Sequence, residues 1–229
     1  MIETARKSIA SHFNASAQEI IFTSGGTESD NMLLRCAVKD LGVQTLISSR
    51  LEHHAILHTL DELEAEGIQV RYVQHDRQGT IDYAHLEELL TADTTKKLVT
   101  LMHVNNEIGN ILNLQRVGDL CHKHQALFHT DAVQGVAHFR MDMSQLPVDF
   151  FSAAAHKFHG PKGIGFSYVR KNSGIKPFIV GGGQERGLRA GTESVHNIVG
   201  MAKALEVAYA HLDQEQAEIT QLKTYFIHV

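Results

Sequence analysis

Ile20-Ile21-Phe22-Thr23-Ser24-Gly25-Gly26-Thr27-Glu28-Ser29-Asp30-Asn31 reads as a buried strand, a two-glycine turn and the opening of a helix. The strand portion is continuously apolar rather than alternating, as expected where both faces of a sheet are covered. The same alternation of elements recurs along the chain. Short apolar, β-branched runs predict strands near Ile20–Thr23, Thr45–Ser48, Val70–Val73, Leu98–Val104, Leu127–Thr130, Val148–Ala153 and Gly165–Val169. Helical periodicity predicts helices near Thr4–Phe13, Glu28–Leu41, Ala55–Glu66, Tyr83–Leu90 and Gln115–His124. The pattern implies an α/β fold, a mostly parallel sheet sandwiched by helices, with ligands beyond the carboxyl ends of its strands.

The last stretch differs. Ile198, Leu205, Leu212, Ile219 and Phe226 fall seven apart, and neither Pro nor Gly interrupts the chain after Gly200. This predicts one long amphipathic helix, either packed on the core or paired with another helix. Composition narrows the function classes. The 229 residues carry 21 Lys and Arg against 26 Asp and Glu, a formal charge of −5, with no run of like charge. That argues against a nucleic-acid or membrane-surface binder. Two cysteines, Cys36 and Cys121, exclude a disulfide scaffold and a Cys-rich zinc module and fit a reducing cytoplasm. No apolar run approaches the roughly 18 residues of a membrane span.

Three constellations could carry chemistry. The Thr23–Asn31 turn has glycines that admit close backbone approach and a helix start that favours an anion, with Thr27 a possible cap; an ordinary capped turn looks the same. It is neither a Walker loop nor a dinucleotide fingerprint. In His129-Thr130-Asp131-Ala132-Val133-Gln134, Asp131 ends a strand and could cap a helix or stabilise a protonated ring nitrogen. In Ser152-Ala153-Ala154-Ala155-His156-Lys157-Phe158-His159-Gly160-Pro161, a small-residue strand delivers Lys157 to a loop, as a solvated end or as an amine poised to bond an aldehyde. Together, a phosphate cradle, a carboxylate and a lysine are what pyridoxal 5'-phosphate requires.

These residues, with Glu52-His53, His103-Val104-Asn105-Asn106-Glu107-Ile108-Gly109 and Gly181-Gly182-Gly183-Gln184-Glu185-Arg186-Gly187-Leu188-Arg189-Ala190-Gly191-Thr192, stand in the order seen in cysteine desulfurases. The chain resembles these pyridoxal-phosphate enzymes of the class V aminotransferase group over essentially its whole length, and the glycine-rich 181–192 stretch is the part most specific to desulfurases. The resemblance implies a fold-type-I large domain over residues 1–192. Residues 193–229 would be a helix leading to a small domain. It implies that Lys157 holds the cofactor covalently and moves the substrate α-proton. Asp131 would pair with the pyridine nitrogen, and His53 would stack on the ring and relay protons. Asn106 and Gln134 would address the ring and its phenolic oxygen. Gly26, Thr27 and His156 would bind the phosphate, and Thr192 would reach the phosphate of a partner subunit. The implied reaction converts L-cysteine to L-alanine, passing sulfur as a persulfide to an acceptor or iron–sulfur scaffold protein, in a cytoplasmic homodimer.

Departures from the family pattern shape the expectations. Ala154 stands where a phosphate-binding serine is usual, and Ser152 lies too far along the strand to replace it. The family's N-terminal arm and its C-terminal small domain, with the sulfur-accepting cysteine and a carboxylate-binding arginine, lie outside this sequence. Cys36 reads as a core residue. Cys121 has basic neighbours that could lower its pKa but no mobile loop, so the chain alone is expected not to turn over cysteine. The rival readings are another class V aminotransferase or lyase, and a non-catalytic scaffold of the same fold. A metal site is the weakest rival: the 16 histidines include close pairs such as His54 and His58, yet no HExxH is present.

Overall fold

The computed structural model describes residues 1–228. Seven strands form one sheet: β1 (Ile20–Thr23), β2 (Thr45–Ser48), β3 (Gln69–Tyr72), β4 (Lys97–Thr100), β5 (Leu127–Asp131), β6 (Phe150–Ala154) and β7 (Gly165–Val169), in the spatial order β1-β7-β6-β5-β4-β2-β3. Strands β6, β5, β4, β2 and β3 run parallel, and β7 is antiparallel to both of its neighbours. The helices are α1 (Ile2–Ser11), α2 (Gly26–Leu41), α3 (His54–Ala65), α4 (Tyr83–Thr91), α5 (Leu114–Lys123) and α6 (Val195–His228). Met32, Leu33 and Leu34 of α2 and Ile56 and Leu60 of α3 fill one core, on one face of the sheet. On the other face Ile9 of α1, Leu86 of α4, Val117 of α5 and Leu205 of α6 fill a second. This is the expected α/β sandwich.

All seven strand runs are strands. The overshoot lies in Leu98–Val104, where the ladder ends at Thr100. Leu101, Met102 and His103 stay buried beyond it, and His103 N still donates to Asp131 O at 2.9 Å, so the apolar run continues without continuing the strand. The long C-terminal helix is present, but its heptad is buried only halfway. Ile198, Leu205 and Leu212 are buried, whereas Ile219 and Phe226 are 62% and 83% exposed.

Strand direction positions the site. Because β7 is antiparallel to β1 and to β6, β1 points the same way as the parallel strands, so the segments after β1, β2, β4, β5 and β6 leave one edge of the sheet. The chain after β1 must still cross the start of β7 to reach β5 and β6. It does so over Gly165, where an added Cβ would lie 2.8 Å from Gly25 Cα and against the Ala153 carbonyl. Backbone faces that Cβ on both sides and cannot rotate away. Gly165→Ala is therefore expected to cost about 1–3 kcal/mol, as overpacking does, and urea unfolding checks it. An unchanged midpoint would show that the crossing is slack.

Candidate functional site

Helix α2 begins two residues earlier than a Thr27 cap allows. Its N-cap is Gly25, with no side-chain cap, and Gly26 and Thr27 are already helical. Gly25 takes φ 153° and ψ −174°, a region essentially confined to glycine. The turn is fastened instead by Glu28, whose Oε2 accepts from Ser24 N at 2.8 Å. Arg189 of the glycine-rich stretch grips the same carboxylate, donating from Nε at 2.7 Å and from Nη2 at 3.0 Å. The first N–H groups of α2 have no acceptor within the helix and point out of its start, where an anion is favoured. A Cβ on Gly26 would lie 2.6 Å from Val133 Cγ2 and 3.8 Å from Ala154 Cβ, so only glycine lets the helix start press against the ends of β5 and β6.

That convergence encloses a cavity of about 220 Å³ lined by Gly26, Thr27, His53, Asn106, Asp131, Gln134, His156 and Lys157, all singled out from the sequence. Asp30, Met102, Val133 and Ala154 complete its wall. Thr192 is not among them. It is exposed, on a separate shallow cleft with Thr23 and Ser24. His156 and Lys157 belong to a 3-10 turn, Ala155–Phe158, anchored by buried Ala155 and Phe158. His159 ends that turn in the left-handed region at φ 65°. His53 is the N-cap of α3 and its Nδ1 accepts from Ala55 N at 3.1 Å, which leaves Nε2 as the protonated ring nitrogen. Asn106 Nδ2 donates to Glu107 Oε1 at 2.7 Å.

Asp131 caps no helix. It is buried, and its Oδ1 accepts from Val133 N at 2.9 Å within its own turn. Burial raises its carboxyl above the usual range, while the Val133 N–H and the His53 and Lys157 charges oppose that rise. Asp30 is the residue sequence reasoning missed. Burial, and then the Asp131 charge, push its carboxyl well above the usual range. Burial raises Glu52 likewise, despite Met102 N donating to its Oε1 at 3.0 Å. Ser152 lies under the site, not in it, fully buried with its Oγ 3.2 Å from His129 Nε2. Both thiols are buried and remote from the cavity. Burial pushes Cys36 up to about 12 and raises Cys121 too, which overturns the expectation that basic neighbours could lower it. Among the described residues no cluster of three His, Cys, Asp or Glu could hold a metal, and no helix is long and apolar enough to cross a membrane.

The buried groups set a pH profile. Burial lowers His129 to about 3 and His103 to about 4, so the unfolded chain binds protons there that the folded chain refuses. That contribution is complete above pH 6.5 and is lost as pH falls toward those values. Asp30 and Glu52 act in the opposite sense: the folded chain keeps protons the unfolded chain releases near pH 4, so stability is lost as pH rises. Between about pH 4.5 and 6.5 the two effects oppose each other, and above that window the carboxyl effect remains. Below it the histidine effect is joined by carboxylates such as Glu28, which, despite burial, Arg189 and Ser24 hold below the usual range. Urea midpoints are expected to be level there and to fall on both sides. A midpoint that climbs from pH 6.5 to 8.5 would contradict the buried-carboxyl contribution.

Residues 1–228 match the family model described as class-V aminotransferase. A cysteine desulfurase IscS of Dictyoglomus turgidum is 45% identical over 228 residues, which cover 99% of this chain and 57% of that protein. A putative cysteine desulfurase IscS 1 of Bacillus subtilis is 40% identical over 228 residues, with coverage of 98% and 59%. Among solved structures, a NifS-like protein superposes with a TM-score of 0.94 at 39% identity, covering 99% of this chain and 63% of that one. SspA in complex with cysteine gives 0.83 at 38% identity, with coverage of 90% and 60%. The chain thus spans a little over half the length of the curated relatives it matches.

Proposed function

The chain belongs to the class-V aminotransferase family, and from that premise we propose that its cavity binds pyridoxal 5'-phosphate and serves the desulfuration of L-cysteine to L-alanine. The observation that carries the proposal is the gathering of an anion cradle, a buried carboxylate and a lone lysine around one cavity of about 220 Å³. The donor set suits the group: unpaired helix-start N–H groups for a phosphate, a carboxylate for a basic ring nitrogen, an amine for an aldehyde. The relatives named cysteine desulfurase favour sulfur chemistry over amino transfer. The second solved neighbour is described with cysteine bound, which agrees with that choice of substrate.

Each residue then has a task. Lys157 holds the cofactor through Nζ and moves the substrate α-proton. Gly26 and Thr27, at the positive end of α2, bind the phosphate together with His156. Burial and the Lys157 and Lys162 charges lower His156, so it does this as a neutral hydrogen-bond partner near pH 7. Asp131 keeps the ring nitrogen protonated, and Asn106 and Gln134 orient the ring through their amides. His53 covers the ring face and offers Nε2–H as a proton carrier. When bound, the cofactor supplies an electron sink for charge left at the substrate α-carbon. Ala154 offers no hydroxyl, which costs a phosphate contact about 1 kcal/mol or somewhat more.

The sulfur acceptor is a thiol other than Cys36 or Cys121, since both are buried away from the cavity. An acceptor or iron–sulfur scaffold protein, a cytoplasmic location and a homodimer in which Thr192 completes the partner's site are parts of the same proposal. So is the division into a cofactor domain, 1–192, and a C-terminal segment from 193 onward whose described helix is Val195–His228. The test loads the chain with pyridoxal 5'-phosphate and follows its visible absorbance with L-cysteine, and separately with an amino acid and a keto acid. A spectral change specific to cysteine, with alanine release near background for want of an accessible thiol, is expected. Keto-acid-dependent amino transfer would favour the aminotransferase reading, and no cofactor binding would leave a scaffold.

A further inference from the structure

The proposed chemistry leaves Asp30 unused, yet Asp30 is 1% exposed, lines the cavity, and has an Oδ1 without a hydrogen-bond partner. Its position follows from two periodicities. On β5, alternate residues Leu127, His129 and Asp131 share the face toward α2, and on β6 Phe150, Ser152 and Ala154 do the same. On α2, Asp30 lies on the stripe of Leu33, Leu34 and Ala37 that meets this face. It therefore stands between the cavity and a closed polar cluster. His129 Nε2 is 3.7 Å from Asp30 Oδ1 and 3.2 Å from Ser152 Oγ, and its Nδ1 is 2.8 Å from Thr100 Oγ1.

The groups that face Asp30 decide its state. From β5 come Asp131 and His129, from the segment before α3 comes Glu52, and from β6 comes Ser152. The Ser152 hydroxyl favours charge on Asp30 but is outweighed by burial and the Asp131 charge. His53 and Lys157 act on Asp131. Two carboxylates in one dry layer do not both ionise. His129 gives Asp30 no cation, because burial keeps its ring neutral. The Val133 N–H and the Lys157 ammonium instead favour charge on Asp131.

We propose that Asp30 is a positioning residue: it holds the single proton of the Asp30–Asp131 pair and so keeps the negative charge on Asp131, at the cavity wall. What that charge serves, a protonated ring nitrogen, rests on the function proposed above; the location of the proton does not.

Infrared spectroscopy of the whole chain with carbon-13-labelled aspartate carboxyls, free of cofactor at pH 7, reads the proton directly. One buried protonated aspartate band is expected, lost in Asp30→Asn and kept in Asp131→Asn. No such band in the parent, or a band lost only in Asp131→Asn, overturns the proposal. Carboxyl NMR of the labelled parent, assigned through proximity to the His129 ring, gives the same answer without a substitution. A second readout uses pyridoxal 5'-phosphate. The visible band is expected at the same wavelength in Asp30→Asn, a neutral isostere, as in the parent, and shifted in Asp131→Asn. An equal shift in both variants also overturns the proposal. If no chromophore forms even in the parent, the cofactor reading fails, and the infrared result alone decides where the proton sits.

Discussion

Lys157→Ala is expected to abolish covalent capture of pyridoxal 5'-phosphate, leaving no borohydride-fixed label on the protein. The expectation follows from where the amine is held. Strand β6 ends in the small residues Ala153 and Ala154, and the 3-10 turn after it, pinned by Ala155 and Phe158, directs Lys157 into the cavity. No other lysine lines that cavity. Lys162, the other basic group that acts on His156, lies outside it. The α2 start is untouched by the substitution, so weak non-covalent binding of the phosphate should persist. Peptide mapping after borohydride reduction checks both halves. A label that survives Lys157→Ala, or that maps to another lysine in the parent, would remove the central assignment of the site.

The largest loss of stability is expected far from the cavity, at Glu185. Its carboxylate takes Arg6 Nη1 at 2.6 Å and Nη2 at 2.9 Å, with both side chains at most 3% exposed. It also accepts from Phe22 N at 2.8 Å, while Arg6 donates onward to Ile20 O at 2.8 Å and lies over the Phe22 ring. Glu185→Ala leaves the Phe22 N–H buried without a partner and the buried Arg6 guanidinium with only the Ile20 carbonyl and the exposed Glu3 carboxylate, at 2.8 Å each. Breaking such a pair costs about 3–5 kcal/mol, which lowers Tm by on the order of 10 °C in a chain of this size. Arg140 and Asp213 pair at the surface, 64% and 81% exposed, through the single Arg140 Nη2 at 3.0 and 3.1 Å, and provide the control. Arg140→Ala should change stability by no more than about 1 kcal/mol. Differential scanning calorimetry compares the two. Equal shifts would mean that burial is not what gives the Arg6–Glu185 pair its weight.

The sheet was legible because its strands, apart from the edge strand β3, are buried on both faces, which leaves short apolar runs between helical segments. What the runs could not show is where pairing stops. Leu101–His103 remain buried, with Met102 in the wall of the site, while the ladder already ends at Thr100. The C-terminal heptad correctly marked a long helix but not its extent of cover: periodicity reports an apolar stripe, and the stripe is buried only as far as Leu212. The cavity-lining residues were legible at strand ends, the one place a parallel sheet gathers side chains. Asp30 was missed although a signal existed. A carboxylate three and four residues before Leu33 and Leu34 sits on the inward stripe of α2 and has to be buried. His129 is similar: two residues before Asp131, it shares that residue's side of β5, yet in an apolar run it looked incidental.

The position of β1 at the sheet edge governs the order in which the molecule is assembled. Its only partner is β7, and Ile20 pairs with Tyr168, about 150 residues later. Strands β2 to β6 join one another across far shorter separations, and closing a long loop is paid in chain entropy before any contact rewards it. The floor of the cavity, with Asp131 and Lys157, can therefore form while Gly25, Gly26 and Thr27 still hang from an unpaired strand. Pulsed amide labelling during refolding is expected to protect β4 and β5 before β1. A ligand that needs the α2 start then binds only the finished sheet, and stabilises it by mass action without holding any partly folded state.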